Sequence, residues 1–181
     1  MPLGESDSAS VFLVKCDGPP FRLLRLKTWQ RPAPARFLER FGELRRRLEA
    51  WADEGVASHV AATVDATGCP AVLSEFRQGL PLLTCVRSGR ITPEAAMTRL
   101  MALQALAGRA HARGLIHGSV VPGNVILHPG EGAVYLLDFG LASLVRSSDD
   151  EAPSAAADLA GFAALASALT GSLPGETSRR L

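Results

Sequence analysis

The sequence predicts an α+β fold in which a β-rich first half carries one helix and the second half is mainly helical. Three observations predict it. Short β-prone runs come in pairs around turn clusters in the first half. Apolar residues recur at helical spacing in separate later stretches. The 47% hydrophobic content is rich in Ala and Leu with only 6% aromatics, which suits a core of closely packed helices. At 181 residues the chain is long enough for one domain with a sizeable core.

Residues 11–14 and 21–26 are β-prone runs separated by Cys16-Asp17-Gly18-Pro19-Pro20, a turn cluster, and read as a hairpin. After the breaker Arg31-Pro32-Ala33-Pro34, the residues Phe37, Phe41, Leu44, Leu48 and Trp51 recur at spacings of four and three. They predict one amphipathic helix ending near Gly55. Residues 60–64 and 71–76 flank Ala66-Thr67-Gly68-Cys69-Pro70 as a second hairpin, so the first half reads ββαββ. Gln78-Gly79-Leu80-Pro81 marks a joint, dividing one structural domain into 1–78 and 79–181. Thr92-Pro93-Glu94 supplies an N-cap, a first-turn proline and an early carboxylate for a helix that passes Leu100, Leu103, Leu106 and Ala110 and stops at Gly114. A short hairpin over 125–127 and 134–137 leads directly into Asp138-Phe139-Gly140, and a last helix runs from about 155 to 169 with Gly171 as its stop.

Composition narrows the function classes. A formal net charge of +1 gives no global field for nucleic acid or an anionic membrane, so no nucleic-acid partner is expected. Cys16, Cys69 and Cys85 form no CxxC pair, which argues against a disulfide framework or a zinc site and for a reducing, cytoplasmic compartment. The first ten residues carry no basic-then-apolar signal. The most apolar window, 155–171, contains Asp158 and is too short to span a membrane, so no membrane insertion is expected. Between Met1 and Arg47 basic residues outnumber acidic ones two to one. A solvated helix face accounts for this surplus, and an acidic protein partner is the sharper alternative.

The string His117-Gly118-Ser119-Val120-Val121-Pro122-Gly123-Asn124 sits on the pattern H-R-D-L-x-x-x-N, and Asp138-Phe139-Gly140 follows a short hairpin as D-F-G. Each string is weak by itself; their joint order on the expected elements is specific. The chain resembles the protein-kinase superfamily, bacterial relatives of the eukaryotic serine/threonine kinases in particular. The resemblance covers roughly residues 11–171. It implies a two-lobe fold with a small β-rich lobe carrying one helix and a shortened helical lobe. It also implies that residues 71–79, with Ser74, Glu75 and Arg77, form the strand and hinge beside a nucleotide, that Phe139 and Gly140 flank the same cleft, and that Asp158 lies on the buried helix of the larger lobe.

Measured against that family, parts are missing. Phosphoryl transfer in kinases needs a loop Asp as base, a strand Lys paired to a helix Glu, and an Asn and the D-F-G Asp on Mg²⁺. Here the base position is Ser119, a hydroxyl that takes no proton at neutral pH. The loop Arg is Gly118, and the Lys two residues beyond the base position is Val121. Gly4, Ser6 and Ala9 fall on the three glycine positions of the phosphate loop, so one glycine of three is kept. An ungapped reading of the strand places Leu24 at the phosphate-lysine position and Lys27 outside it; a shifted register makes Lys27 the phosphate lysine. With Leu24 there, an apolar contact to Leu44 on the helix stripe replaces the ion pair.

Asn124 and Asp138 are then the two metal-side candidates, while His117 and Asp158 brace the loop. No A-P-E string stands before Asp158, Ser147 and Ser148 have no loop Arg to read a phosphate, and the chain stops early for a kinase, as a truncated protein or a fragment would. The expected function is that of a pseudokinase, a signalling module that regulates or binds a protein partner and takes ATP and Mg²⁺ weakly or not at all. The rival is an active atypical kinase acting on Ser/Thr or on a small molecule. A nucleotide-independent scaffold is the third class.

Overall fold

The two hairpins of the first half join one antiparallel sheet. In the computed structural model, which describes residues 1–6, 8–16, 22–130, 132–146 and 151–171, it comprises β1 (Pro2–Ser6), β2 (Ala9–Cys16), β3 (Arg22–Trp29), β4 (His59–Val64) and β5 (Pro70–Glu75). The order across the sheet is β1-β2-β3-β5-β4. The edge strand β1 is an addition to the expected ββαββ: it pairs with β2, setting Gly4 opposite Val11 and Ser6 opposite Ala9. The turn at 17–20, Ser147 and Ser148 lie outside the described residues.

Helix α1 (Phe37–Trp51) buries its predicted stripe. Phe37 and Phe41 join Ala9, Trp29 and Val72 of the sheet and Leu141, Leu144 and Val145 of the short helix α4 (Leu141–Val145) in one apolar cluster. The helix closes at Ala52, whose N–H donates to the Leu48 carbonyl. That cap comes before Gly55, the expected stop, which instead approaches Leu106 closely.

The second half is helical around a small sheet, so the fold is α+β. Helix α2 (Leu82–Arg87) follows strand β6 (Leu80–Pro81), which pairs with β7 (Val125–Leu127), and β7 in turn pairs with β8 (Val134–Leu136). Helix α3 (Pro93–His111) starts as expected, with the Thr92 hydroxyl accepting from the Ala95 N–H. It packs on α5 (Ala155–Thr170) through a core that includes Leu100, Leu103, Ala107, Phe162 and Leu165. None of the described helices is long and apolar enough to cross a membrane.

Helix α5 lies directly under the loop before β7. A Cβ on Gly161 would stand 2.6 Å from the Val120 carbonyl oxygen, closer than any real contact. Gly161→Ala should therefore lower stability by about 1–2 kcal/mol through overpacking against backbone, read as a drop in the urea midpoint at unchanged slope.

Candidate functional site

The loop from His117 to Asn124 is fixed from below by Asp158 in the first turn of α5. The Asp158 side chain is 1% exposed and accepts three hydrogen bonds: Oδ1 from the Gly118 N–H (2.8 Å), and Oδ2 from the His117 N–H (2.9 Å) and from His111 Nε2 (2.8 Å). His117 is fully buried. Its Nδ1 accepts from the Ser119 N–H (3.0 Å), so Nε2 carries the proton and donates to the Leu137 carbonyl (2.8 Å). Burial pushes the imidazole below its ordinary pKa, consistent with a neutral brace. Asn124 Nδ2 donates to the Ser119 carbonyl (2.9 Å). The loop is thus a closed set of hydrogen bonds around Ser119, with Ser119 itself half-buried.

Gly118 stands in the left-handed region (φ 81°), and a Cβ there would lie 2.9 Å from Pro153. This position has no room for an arginine side chain without moving the chain before α5.

Asp138 comes next in space. It follows β8 in the left-handed region (φ 61°) and its side chain is 2% exposed. Arg25 and Lys27 reach it from β3, two residues apart and hence on one face of the strand. Arg25 Nη1 bonds Oδ1, Arg25 Nη2 bonds Oδ2 at 3.2 Å, and Lys27 Nζ bonds Oδ2 at 2.7 Å. Burial by itself would push the carboxyl pKa up; the charges and hydrogen bonds of Arg25 and Lys27 outweigh it and hold the group at about 2.

Leu24, opposite Glu75 in the β3–β5 pairing, alternates onto the face turned away from Asp138, whereas Arg25 and Lys27 share the face that reaches it. Leu44 of the helix stripe makes an apolar contact of its own beside Asp138. Leu44 lies over Gly140, where an added Cβ would meet Leu44 Cδ1 at 2.7 Å and where φ is 77°. Phe139 is fully buried, with ring centroids 5.1 Å from His117 and 5.6 Å from Trp51.

His59 at the start of β4 was not legible in the sequence. It is buried, with Nδ1 2.9 Å from Ser74 Oγ and Nε2 2.9 Å from the Phe139 carbonyl. The carbonyl can only accept, so Nε2 donates and Nδ1 accepts from Ser74. Burial lowers the His59 pKa. Ser74 therefore holds the loop through His59, whereas Glu75 pairs with Arg77 at 2.9 Å and Arg77 stacks over Tyr135 at 4.7 Å.

Two cavities meet at Lys27, Ala9 and Asn124. One, of about 490 Å³, lies between β1 and β2 on one side and the segment from Phe76 to Pro81 on the other; Gly4, Arg25 and Arg77 line it. The second, of about 550 Å³, is bounded by Ser119, Asp138, Trp29 and Pro153. The residues at Asp138 do not fit a Mg²⁺ ion as they stand. Both carboxylate oxygens are bonded to cations, which a divalent ion would have to displace.

The arginines of α1 are mostly used within the chain. Arg36 pairs with Glu39, Arg40 bonds the Ser143 carbonyl, Arg45 pairs with Glu49, and Arg47 bonds the Arg113 and Gly114 carbonyls.

No family model matches the chain. Over 117 residues, 62% of its length, it is 34% identical to the serine/threonine-protein kinase PknA of Mycobacterium tuberculosis, of which this covers 27%. Over 73 residues, 40% of its length, it is 38% identical to CBL-interacting protein kinase 16 of Oryza sativa subsp. japonica, of which this covers 16%. The chain spans about a quarter, or less, of the length of these curated relatives. Within that span it is protein-kinase-like, related to the serine/threonine protein kinases.

Proposed function

We propose that the chain is a catalytically impaired kinase-like module, a pseudokinase, that regulates or binds a protein partner in a bacterial cytoplasm and takes ATP weakly or not at all. On this reading residues 1–78 are the small lobe and 79–181 a shortened large lobe. The observation that carries it is Ser119. His117 and Asn124 hold this residue through its backbone, in the place where a kinase presents its carboxylate base. A serine hydroxyl takes no proton at neutral pH, and loss of general-base assistance costs about 10²- to 10⁴-fold in rate. The pairing of Asp138 with Arg25 and Lys27 removes a second contribution, the metal-side carboxylate.

The test is transfer of label from ATP, with Mg²⁺, to the chain itself and to a generic basic protein. No transfer is expected, and Ser119→Asp by itself should not create any, because Asp138 stays paired. Robust Mg²⁺-dependent labelling that disappears in Asp138→Asn would instead establish an active phosphotransferase acting on protein or small molecule. Glu151, the other described carboxylate on the cavity beside Ser119, would then be the base to replace.

A further inference from the structure

The cleft carries its own cation at the one carboxylate that a metal would need. Arg25 grips both oxygens of Asp138 in the two-pronged manner of a guanidinium on a carboxylate, and Lys27 adds a second positive charge. One buried negative charge faces two positive ones, so the cluster keeps a net charge of about +1. The side chains of Arg25 and Lys27 are 12% and 20% exposed, and both open onto the cavity between β1–β2 and the segment from Phe76 to Pro81. A divalent cation approaching Asp138 meets two like charges and must displace a guanidinium. An anion approaching the same point meets the surplus.

We propose that this cleft binds nucleoside polyphosphates without a divalent metal, with Arg25 doing the charge neutralisation. The proposal rests on the kinase-like reading of the cleft and deepens it. Val11, Leu80, Ile126 and Leu137 supply apolar lining for a base in the same cavity, while Lys27 and Arg25 face the phosphates. Mg²⁺ brings no gain in binding in this arrangement, because it masks phosphate charge that the two side chains would otherwise meet.

Calorimetric titration and thermal shift with ATP and ADP, each in EDTA and in excess Mg²⁺, test it, with inorganic pyrophosphate and adenosine as the part-ligands. Binding in EDTA that is unchanged or several-fold weaker in Mg²⁺ is the expected result. Pyrophosphate should compete, and adenosine should bind much more weakly than ADP. In Arg25→Met the affinity in EDTA should fall about tenfold, the equivalent of one charged contact, and Mg²⁺ should now strengthen binding because Asp138 has an oxygen to offer. Arg25→Lys should keep the wild-type insensitivity to Mg²⁺. Binding by the wild type that requires Mg²⁺ would overturn the proposal, and so would the absence of any shift at millimolar ATP in both buffers. Binding that requires Mg²⁺ would also restore Asp138 as a metal-side carboxylate, while the loss of the base at Ser119, which carries the pseudokinase reading, is tested separately by label transfer.

Discussion

Asp158→Ala is expected to lower the unfolding free energy by about 3–5 kcal/mol. The magnitude follows from what the side chain leaves behind. It is buried, and it is the acceptor for the His117 and Gly118 amides and for His111 Nε2. A buried N–H left without an acceptor costs about 1–3 kcal/mol, and two such amides are stranded beside a vacated volume. Asp158→Asn should cost less, since its carbonyl oxygen still serves one amide. Chemical denaturation monitored by tryptophan fluorescence reads both variants. A loss below about 1 kcal/mol in Asp158→Ala would show that the loop before β7 holds itself without α5.

Acid should selectively remove the contribution of Asp138. Its carboxyl is held at about 2 in the folded chain against an ordinary 3.8. A group depressed in the folded state stabilises fully above its unfolded pKa, and the stabilisation is lost as pH falls through the folded value. Here the window runs from about pH 4 down to about pH 2 and the loss is about 2–3 kcal/mol. Asp138→Asn should be less stable than the wild type at neutral pH by a similar amount, and the gap should close across that window. Lys27 and Arg25 share the carboxylate, so Arg25→Met made on top of Asp138→Asn should cost less than Arg25→Met by itself. Equal costs would mean that the Arg25–Asp138 pair contributes nothing to stability.

How legible these features were depended on range along the chain. The order His117, Asn124, Asp138, Asp158 could be read because short strings mark the start and end of each local element; the structure ties His117 to Asp158 and Asn124 to the Ser119 carbonyl, while Asp138 is held by Arg25 and Lys27. The side of β3 that faces Asp138 could not. Leu24 and Lys27, the two residues between which the sequence left the choice, lie three apart and so on opposite faces of a strand whose side chains alternate with a period of two, and the pairing with β5 fixes which face each takes. His59 was invisible for a related reason: its partner, the Phe139 carbonyl, lies 80 residues away and leaves no pattern near either residue. Strand β1 was hidden by its small polar residues, and α2 and α4, at 6 and 5 residues, are too short to show a helical period.

The chain's own cations hold the Asp138 carboxylate. Carbon-detected NMR titration of the Asp138 side-chain carboxyl, assigned by its absence in Asp138→Asn, measures this directly. A midpoint near 2, unmoved by millimolar Mg²⁺ and raised in Arg25→Met, is the result expected. A midpoint at the ordinary 3.8, or a resonance that shifts on addition of Mg²⁺, would contradict it.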